Sequence, residues 1–526
     1  MPAVPVAAPL PGFGPVTPQA RITTLDILRG CAVFAILVVN WSTDATYDLE
    51  FSKGFTGAPD LITSWIIEVS LNDKALPIFS FLFGLGFAIQ MLRAEARGAP
   101  FAGVYARRLL ILFLVGATHD ILAERDVLWR YAIVGFVLLP VRKLNLNLVA
   151  ALALVCVLFP FTRGVLIGRE NHARLAAWNN ARTEITLDVG VLETHVGEYE
   201  LESGGAVFVT REGNALSWQQ GGGIRRRLFA ESPTEFFSRS VNAQVSFLRD
   251  SAGTVTGLVL HQGGQDTPGR KIERAGRPID DGDLRRASNQ GPVDRTYATG
   301  TFLQVTSLRI REFRNRFSTS WTAYLGWLQY LAMFLLGLYA GRRRIFENVA
   351  IHRPFIRRVM WGGFALGVAG TTAFTTVVLP EGPFYSEFTP FMTTVLVGLG
   401  RRLGSPALGL AYVAALTLLL EREAWKRRLA PLAAVGRMAL TNYLLHSVAF
   451  VLLFYSYGVG LGFYARVGAF GGVMLALPVL AVELVVSQWW LRRFRFGPAE
   501  WLWRSLTYGK RQPMRISQPL VGSRAG

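Results

Sequence analysis

A chain of 526 residues in which 51% are hydrophobic and only 17% charged is too apolar for an ordinary soluble protein, and its net charge of +19 does not mark a nucleic-acid binder. Residues 169–316 hold 20 Lys and Arg against 18 Asp and Glu, so nearly all of the basic excess belongs to the apolar remainder. The two cysteines, Cys31 and Cys156, both fall in apolar runs; they exclude a disulfide framework and read as small core residues.

Residues 1–20 are rich in Pro, Ala and Val but lack a basic start and a small-residue cleavage site, which reads as a disordered tail rather than a signal peptide. Apolar stretches then predict an all-α polytopic bundle of about ten transmembrane helices, near 25–42, 75–92, 107–122, 127–141, 146–166, 320–340, 359–379, 403–421, 433–456 and 468–491. Basic clusters recur in alternate loops: Arg93 to Arg108, Arg142 with Lys143, Arg342 to Arg358, Arg422 to Arg428, and the tail from Arg492. The positive-inside rule places all of these, and both termini, in the cytoplasm. The opposite loops carry Asp44, Asp48, Glu50, Asp60, Glu124, Asp126, Glu381 and Glu387. Two short apolar pieces on that side, 61–71 and 388–399, are expected to be re-entrant or interfacial.

Between the fifth and sixth spans the period changes. "AVFVTREG", "QVSFLRD" and "TVTGLVLHQGG" are strand-length runs broken by Gly and by Asp or Ser turns, which predicts a small all-β unit of about eight strands over 188–275. The division expected is a membrane half over 21–168, the insert, a polar connector over 276–319, a second membrane half over 320–510 and a cytoplasmic tail over 511–526. The insert falls on the extracytoplasmic side, which for a bacterial inner membrane is the periplasm.

Few polar residues interrupt the spans. Asp26 and Arg29 are three apart at the start of the first helix, so they share a face and can pair, either to pin the helix end or to hold a phosphate. Asn40 stands near the other end of that helix, where an amide can bridge helices or stabilise an oxyanion. His119, with Asp120 and Asp126 nearby, ends the third span and is the best general-base candidate in the membrane part. Tyr131 follows one helix later. In "GRMALTNYLLHS", Thr441, Asn442, Tyr443 and His446 form a polar stripe expected to line a cavity, with Arg437 near its start as a phosphate contact or a snorkelling anchor. Gly84 and Gly86 suit close helix packing. There is no P-loop, no zinc-spaced Cys/His set and no G-x-S-x-G.

"RITTLDILRGCAVFAILVVN", "IFSFLFGLGFAI", "RRLLILFLVGATHDILAERDVLWRYAIVG" and "GRMALTNYLLHS" resemble the YeiB-like family of bacterial inner-membrane proteins, a domain of unknown function. The first two blocks are also distantly similar to the heparan-glucosaminide type of transmembrane acetyltransferase, which implies transfer of an acetyl group from cytoplasmic acetyl-CoA to an acceptor across the membrane. That family's His after the first span has no counterpart here between Trp41 and Arg107. "LETHVGEYEL", "VTREGNALSW" and "DSAGTVTGLVLHQGGQD" resemble the lipocalin-like C-terminal domain of serine beta-lactamase-like peptidases, which implies a small barrel for binding or assembly.

Together these readings favour a membrane acyltransferase in the bilayer, with acyl-CoA as co-substrate, no bound cofactor, no metal and an envelope glycan or lipid as acceptor. Asp26, Arg29 and Arg437 would bind the donor, and His119, Asn40 and Asp126 would carry the chemistry. A small-molecule transporter and a scaffold or sensor acting through the barrel are the alternatives. A homo-oligomer is compatible with all three.

Overall fold

In the computed structural model the described residues are 22–43, 57–123, 126–202, 206–220, 225–272, 296–297, 299–318, 321–378, 390–457, 461–464 and 466–516. The N-terminal tail, most of the connector, the end of the C-terminal tail and the acidic loop residues Asp44, Asp48, Glu50, Glu124, Glu381 and Glu387 lie outside them.

The N-terminal membrane half comprises α1 (Thr23–Thr43), α2 (Ala58–Ser70), α3 (Ala75–Glu95), α4 (Ala102–Ala123), α5 (Leu128–Val141) and α6 (Leu146–Asn180). After the short α7 (Val189–Thr194) comes the barrel, then α8 (Phe302–Ser318) and a 3-10 turn (Trp321–Trp327). The second half holds α9 (Leu328–Arg342), α10 (Val349–Val378), α11 (Pro390–Gly398), α12 (Ser405–Leu419), α13 (Glu423–Arg437), α14 (Ala439–Phe454), α15 (Ala469–Arg493) and α16 (Pro498–Tyr508). Among the described residues six helical stretches are long and apolar enough to cross a bilayer, or seven if α13 and α14 count as one bent span. This is a membrane protein.

Several boundaries differ from the sequence reading for identifiable reasons. Of the piece at 388–399, the described part from Pro390 is not a separate re-entrant segment: α11 runs into α12 through a π turn at Leu399–Gly404, giving one 29-residue stretch from Phe391 to Leu419. Likewise α2 runs on into α3 across the turn at 71–74. The span expected at 433–456 is instead broken at Met438, with a 76° bend between α13 and α14. The carboxylate of Glu500 on α16 fills that break, accepting from the amides of Leu440 at 2.7 Å and Thr441 at 3.1 Å and so satisfying orphan donors at the start of α14. Asn145 caps α6 by accepting from the Leu148 amide at 2.8 Å. With 35 residues α6 is about 52 Å long, well beyond the roughly 30 Å of a bilayer core.

Eight antiparallel strands, from β1 (Gly197–Leu201) to β8 (Gln265–Ile272), close on themselves through β1 and β8. Gly263 and Gly264, at φ 64° and 78°, make the two-residue turn between β7 (Val255–Gln262) and β8, a backbone that side-chain-bearing residues adopt at a cost. Tyr199, Trp218, Phe236 and Phe247, with Val and Leu, fill the interior. The barrel is therefore packed with its own side chains, as in the small closed barrels whose interiors are just wide enough for them.

The bundle is held by backbone contacts that leave no room for a side chain. A Cβ on Gly84 would lie 2.0 Å from the Phe334 carbonyl oxygen, locking α3 to α9, and one on Gly436 would lie 1.8 Å from that of Asp26, locking α1 to α13. The second contact sets the site, because it brings Asp26, Arg29 and Arg437 to one place.

Candidate functional site

A cavity of about 380 Å³ lies among α1, α3, α4, α5, α13, α14 and α16. One end is strongly basic. Arg29, Arg93, Arg97, Arg108, Arg437 and Arg504 line it against only two carboxylates, Asp26 and Glu500. Asp26 is engaged by Arg29 at 2.8 Å, and Glu500 also accepts from the Thr441 hydroxyl at 2.6 Å. The Arg108 guanidinium lies 3.7 Å from the Trp503 ring centroid, and the Trp503 indole donates to the Arg108 carbonyl, so an aromatic plate fixes this cation at the wall. Gly86 faces the cavity, where a Cβ would meet no backbone and would come no nearer than 3.8 Å to the Arg29 guanidinium, rather than packing against another helix. Such a constellation is suited to a polyanion such as a phosphate ester, because guanidinium forks match phosphate oxygens.

The opposite end is walled by Leu128, Tyr131 and Tyr443. Tyr131 donates to the Leu76 carbonyl at 2.9 Å and accepts from Ser80 at 2.7 Å, so its ring is fixed. The Tyr443 hydroxyl donates to Asp126 Oδ2 at 3.2 Å. The same oxygen lies 2.6 Å from His119 Nδ1, and Oδ1 accepts from the amides of Leu128 at 2.5 Å and Trp129 at 3.2 Å. Asp126, fully buried, thus accepts four hydrogen bonds, which uses the lone-pair capacity of a carboxylate. A carboxylate on Nδ1 fixes the tautomer that leaves Nε2 as the basic atom. Nε2 of His119 is buried with no hydrogen-bond partner among the described residues. Tyr105, Arg108, Leu112 and His119 recur at helical spacing along α4, and eleven residues of rise put His119 about 16 Å beyond Arg108.

α8 closes the far side. Arg316 donates to Asp120 Oδ2 at 2.6 Å, while Asp120 Oδ1 accepts from the Asp126 amide at 2.7 Å. Phe313 and Phe317 meet Trp129 edge-on and tilted. The segment that returns from the barrel therefore covers the His119 cluster.

Of the residues singled out from sequence, Asp26, Arg29, Arg437, Tyr131 and Tyr443 line the cavity, and His119 with Asp126 stands directly behind Tyr443. Asn40 is exposed on α1 and is not among the lining residues. Thr441, Asn442 and His446 are buried on other faces of α14, bonded to Glu500, Ser487 and Glu483 respectively. Sequence reasoning missed Arg108, Arg504 and Trp503 as wall residues, because charges at span ends read equally well as topological anchors. It also missed Glu500, Glu483 and Arg316; of these, Glu483 carried a signal as the one carboxylate inside an otherwise apolar span.

Residues 340–510 match the family described as "Protein of unknown function (DUF418)", and residues 181–271 match "Domain of unknown function (DUF3471)". The chain is similar to "Uncharacterized protein YxaH" of Bacillus subtilis (strain 168), 26% identical over 95% of this chain and 97% of that protein. It is similar to "Uncharacterized 39.9 kDa protein in amylase 3'region" of Bacillus acidopullulyticus, 22% identical over 96% of this chain and 99% of the relative. Since this chain is 58.1 kDa, it carries segments that the 39.9 kDa relative lacks. A 76-residue stretch is 45% identical to "Uncharacterized protein YeiB" of Escherichia coli (strain K12), covering 14% of this chain and 19% of that protein. The resemblance to the YeiB-like proteins is borne out.

Proposed function

We propose that this membrane protein is an acyltransferase that takes an acyl group from a phosphorylated thioester donor, acyl-CoA in class, and passes it to an envelope glycan or lipid. The observation that carries the reading is the single cavity that joins six arginines at one end to the wall in front of His119 and Asp126 at the other. The donor's phosphates would sit among Arg29, Arg108 and Arg437, with its flexible arm laid along α4 toward Tyr443. His119 Nε2 would accept the proton of an acceptor hydroxyl or amine as its oxygen or nitrogen bonds to the acyl carbon. The carbon–sulfur bond then breaks and the leaving thiolate takes the proton held on His119 Nε2, which restores the neutral imidazole. Asp126 would stabilise the imidazolium that forms.

The basic end would face the bacterial cytoplasm with both termini, and the barrel the periplasm, since that arrangement alone puts every basic cluster inside. Cysteine labelling at Ser251 and Ser505 tests this: a membrane-impermeant reagent should reach Ser251→Cys in spheroplasts and miss Ser505→Cys, and labelling of the latter would overturn it.

For the reaction, purified protein in lipid nanodiscs should bind coenzyme A and release free thiol from acetyl-CoA in a manner dependent on His119. A well-folded protein that neither binds coenzyme A nor releases thiol would leave the transporter as the better reading.

A further inference from the structure

Away from the cavity, a polar ladder crosses the interface between α14 and α15. His446 Nε2 lies 2.7 Å from Glu483 Oε2, and Asn442 Nδ2 donates to Ser487 Oγ at 3.1 Å. Each helix contributes its two residues at a spacing of four, so the rungs stack one turn, about 6 Å, apart. All four side chains are buried: Asn442 is 2% exposed, His446 4%, Glu483 5% and Ser487 0%. The neighbouring turns of α15 present Val482 and Val485 outward at 60% and 65% exposure, as a lipid-facing surface does. The pair therefore sits inside a spanning segment.

Two of its atoms are left open. His446 Nδ1 and Glu483 Oε1 are buried and have no hydrogen-bond partner among the described residues. A pair kept only to bind two helices together would be replaced at little cost, or with gain, by packed apolar side chains, and buried polar atoms with a purely structural role are nearly always satisfied. Ionisable groups inside spans that keep unused valences mark a path or a site. The elements packed against these helices carry Asp26 and Arg29 on α1, Asp60 and Glu68 on α2, His119 and Asp120 on α4, Arg437 at the end of α13, and Glu500 on α16. Asp26, Arg29, Asp60, Glu68, His119, Asp120 and Glu500 are each bonded to a group other than the pair, and Arg437 lines the cavity. Tyr443, three residues before His446 on α14, is committed to Asp126. No neighbouring charge thus claims the open atoms.

We propose that His446 and Glu483 form an intramembrane proton-binding site. The imidazolium–carboxylate form is neutral in sum; loss of the Nδ1 proton leaves Nε2–H donated to the carboxylate and the pair at minus one, and uptake of a proton reverses the step. Asn442 and Ser487 extend the polar track by one turn toward the basic end. The site stands independently of acyl transfer, since it shares no residue with the cavity.

The test is infrared difference spectroscopy of the whole protein in lipid, taken between about pH 5 and pH 9, the range in which histidine-linked sites exchange protons. The carboxylate stretch of Glu483 should shift with pH as its imidazolium partner gains or loses charge, vanish in Glu483→Gln and move in His446→Gln. If Glu483→Gln does not insert, the shift on His446→Gln decides alone. A signal unchanged in His446→Gln, or none that Glu483 accounts for, overturns the proposal. Neither result bears on coenzyme A binding, so the two readings fail separately.

Discussion

The barrel and the bundle solve burial in opposite ways. Inside the barrel lie Val207, Val209, Phe236 and Leu258, each 1% exposed or less, while ion pairs such as Arg225 with Glu212 stay outside. The bundle turns this around: Leu166 and Trp361 are 65% and 68% exposed, whereas Asp126 is 0% and Asp120 3%. Water rewards the first arrangement and lipid tolerates the second, because in lipid the cheapest place for a charge is beside another inside the protein. Chemistry is therefore to be sought in the core of the bundle, whereas the filled interior of the barrel is architecture.

Damage confined to the barrel shows whether the two regions are independent. Trp218→Ala should cost the barrel about 3–5 kcal/mol, the usual penalty for a large buried aromatic. Hydrogen exchange should then rise throughout β1–β8 while α3 and α9 keep their protection. Loss of protection in both would mean that the two regions fold as one unit.

Within the bundle, the acyl transfer proposed above should depend on His119 far more than on any arginine. His119→Ala should lower turnover about a hundredfold, the size of a lost general base, with little effect on the donor constant. Wild-type turnover in that variant, well inserted, would remove the catalytic assignment. Arg29→Ala should instead raise the apparent donor constant, by about tenfold for one charge-assisted contact, and lower turnover less. Equal losses in both parameters would move Arg29 from donor binding to the chemistry.

The smallest effect should be an acid response confined to the barrel. His195 is 0% exposed, its ring centroid 4.5 Å from that of Phe247, and burial, aided by the charges of Arg249 and Lys271, pushes its pKa down to about 4. The folded barrel keeps it neutral at pH values where the unfolded chain, near 6.5, takes up a proton. Its contribution is whole above about pH 6.5 and is lost as pH falls toward 4. The barrel amides should lose protection over that window, and His195→Gln should flatten the slope. An unchanged slope in the variant would assign the acid response to another group.

Where the chain meets lipid and where it turns to strands is legible in the residues alone. Both are local signals: a run near twenty apolar residues has only one comfortable solvent, and alternation of two with Gly turns has one comfortable pairing. Asp26 with Arg29 was legible for the same reason, since three residues on a helix fix a shared face. Which distant polar groups meet is settled by how the helices pack. Tyr443 reaches Asp126 across 317 positions and Glu483 reaches His446 across 37, while Asn40, equally polar, faces outward. Those outcomes follow from the rotation of each helix about its axis, set by contacts such as Gly436 on Asp26 and by the bend at Met438, and no periodicity along the chain encodes them.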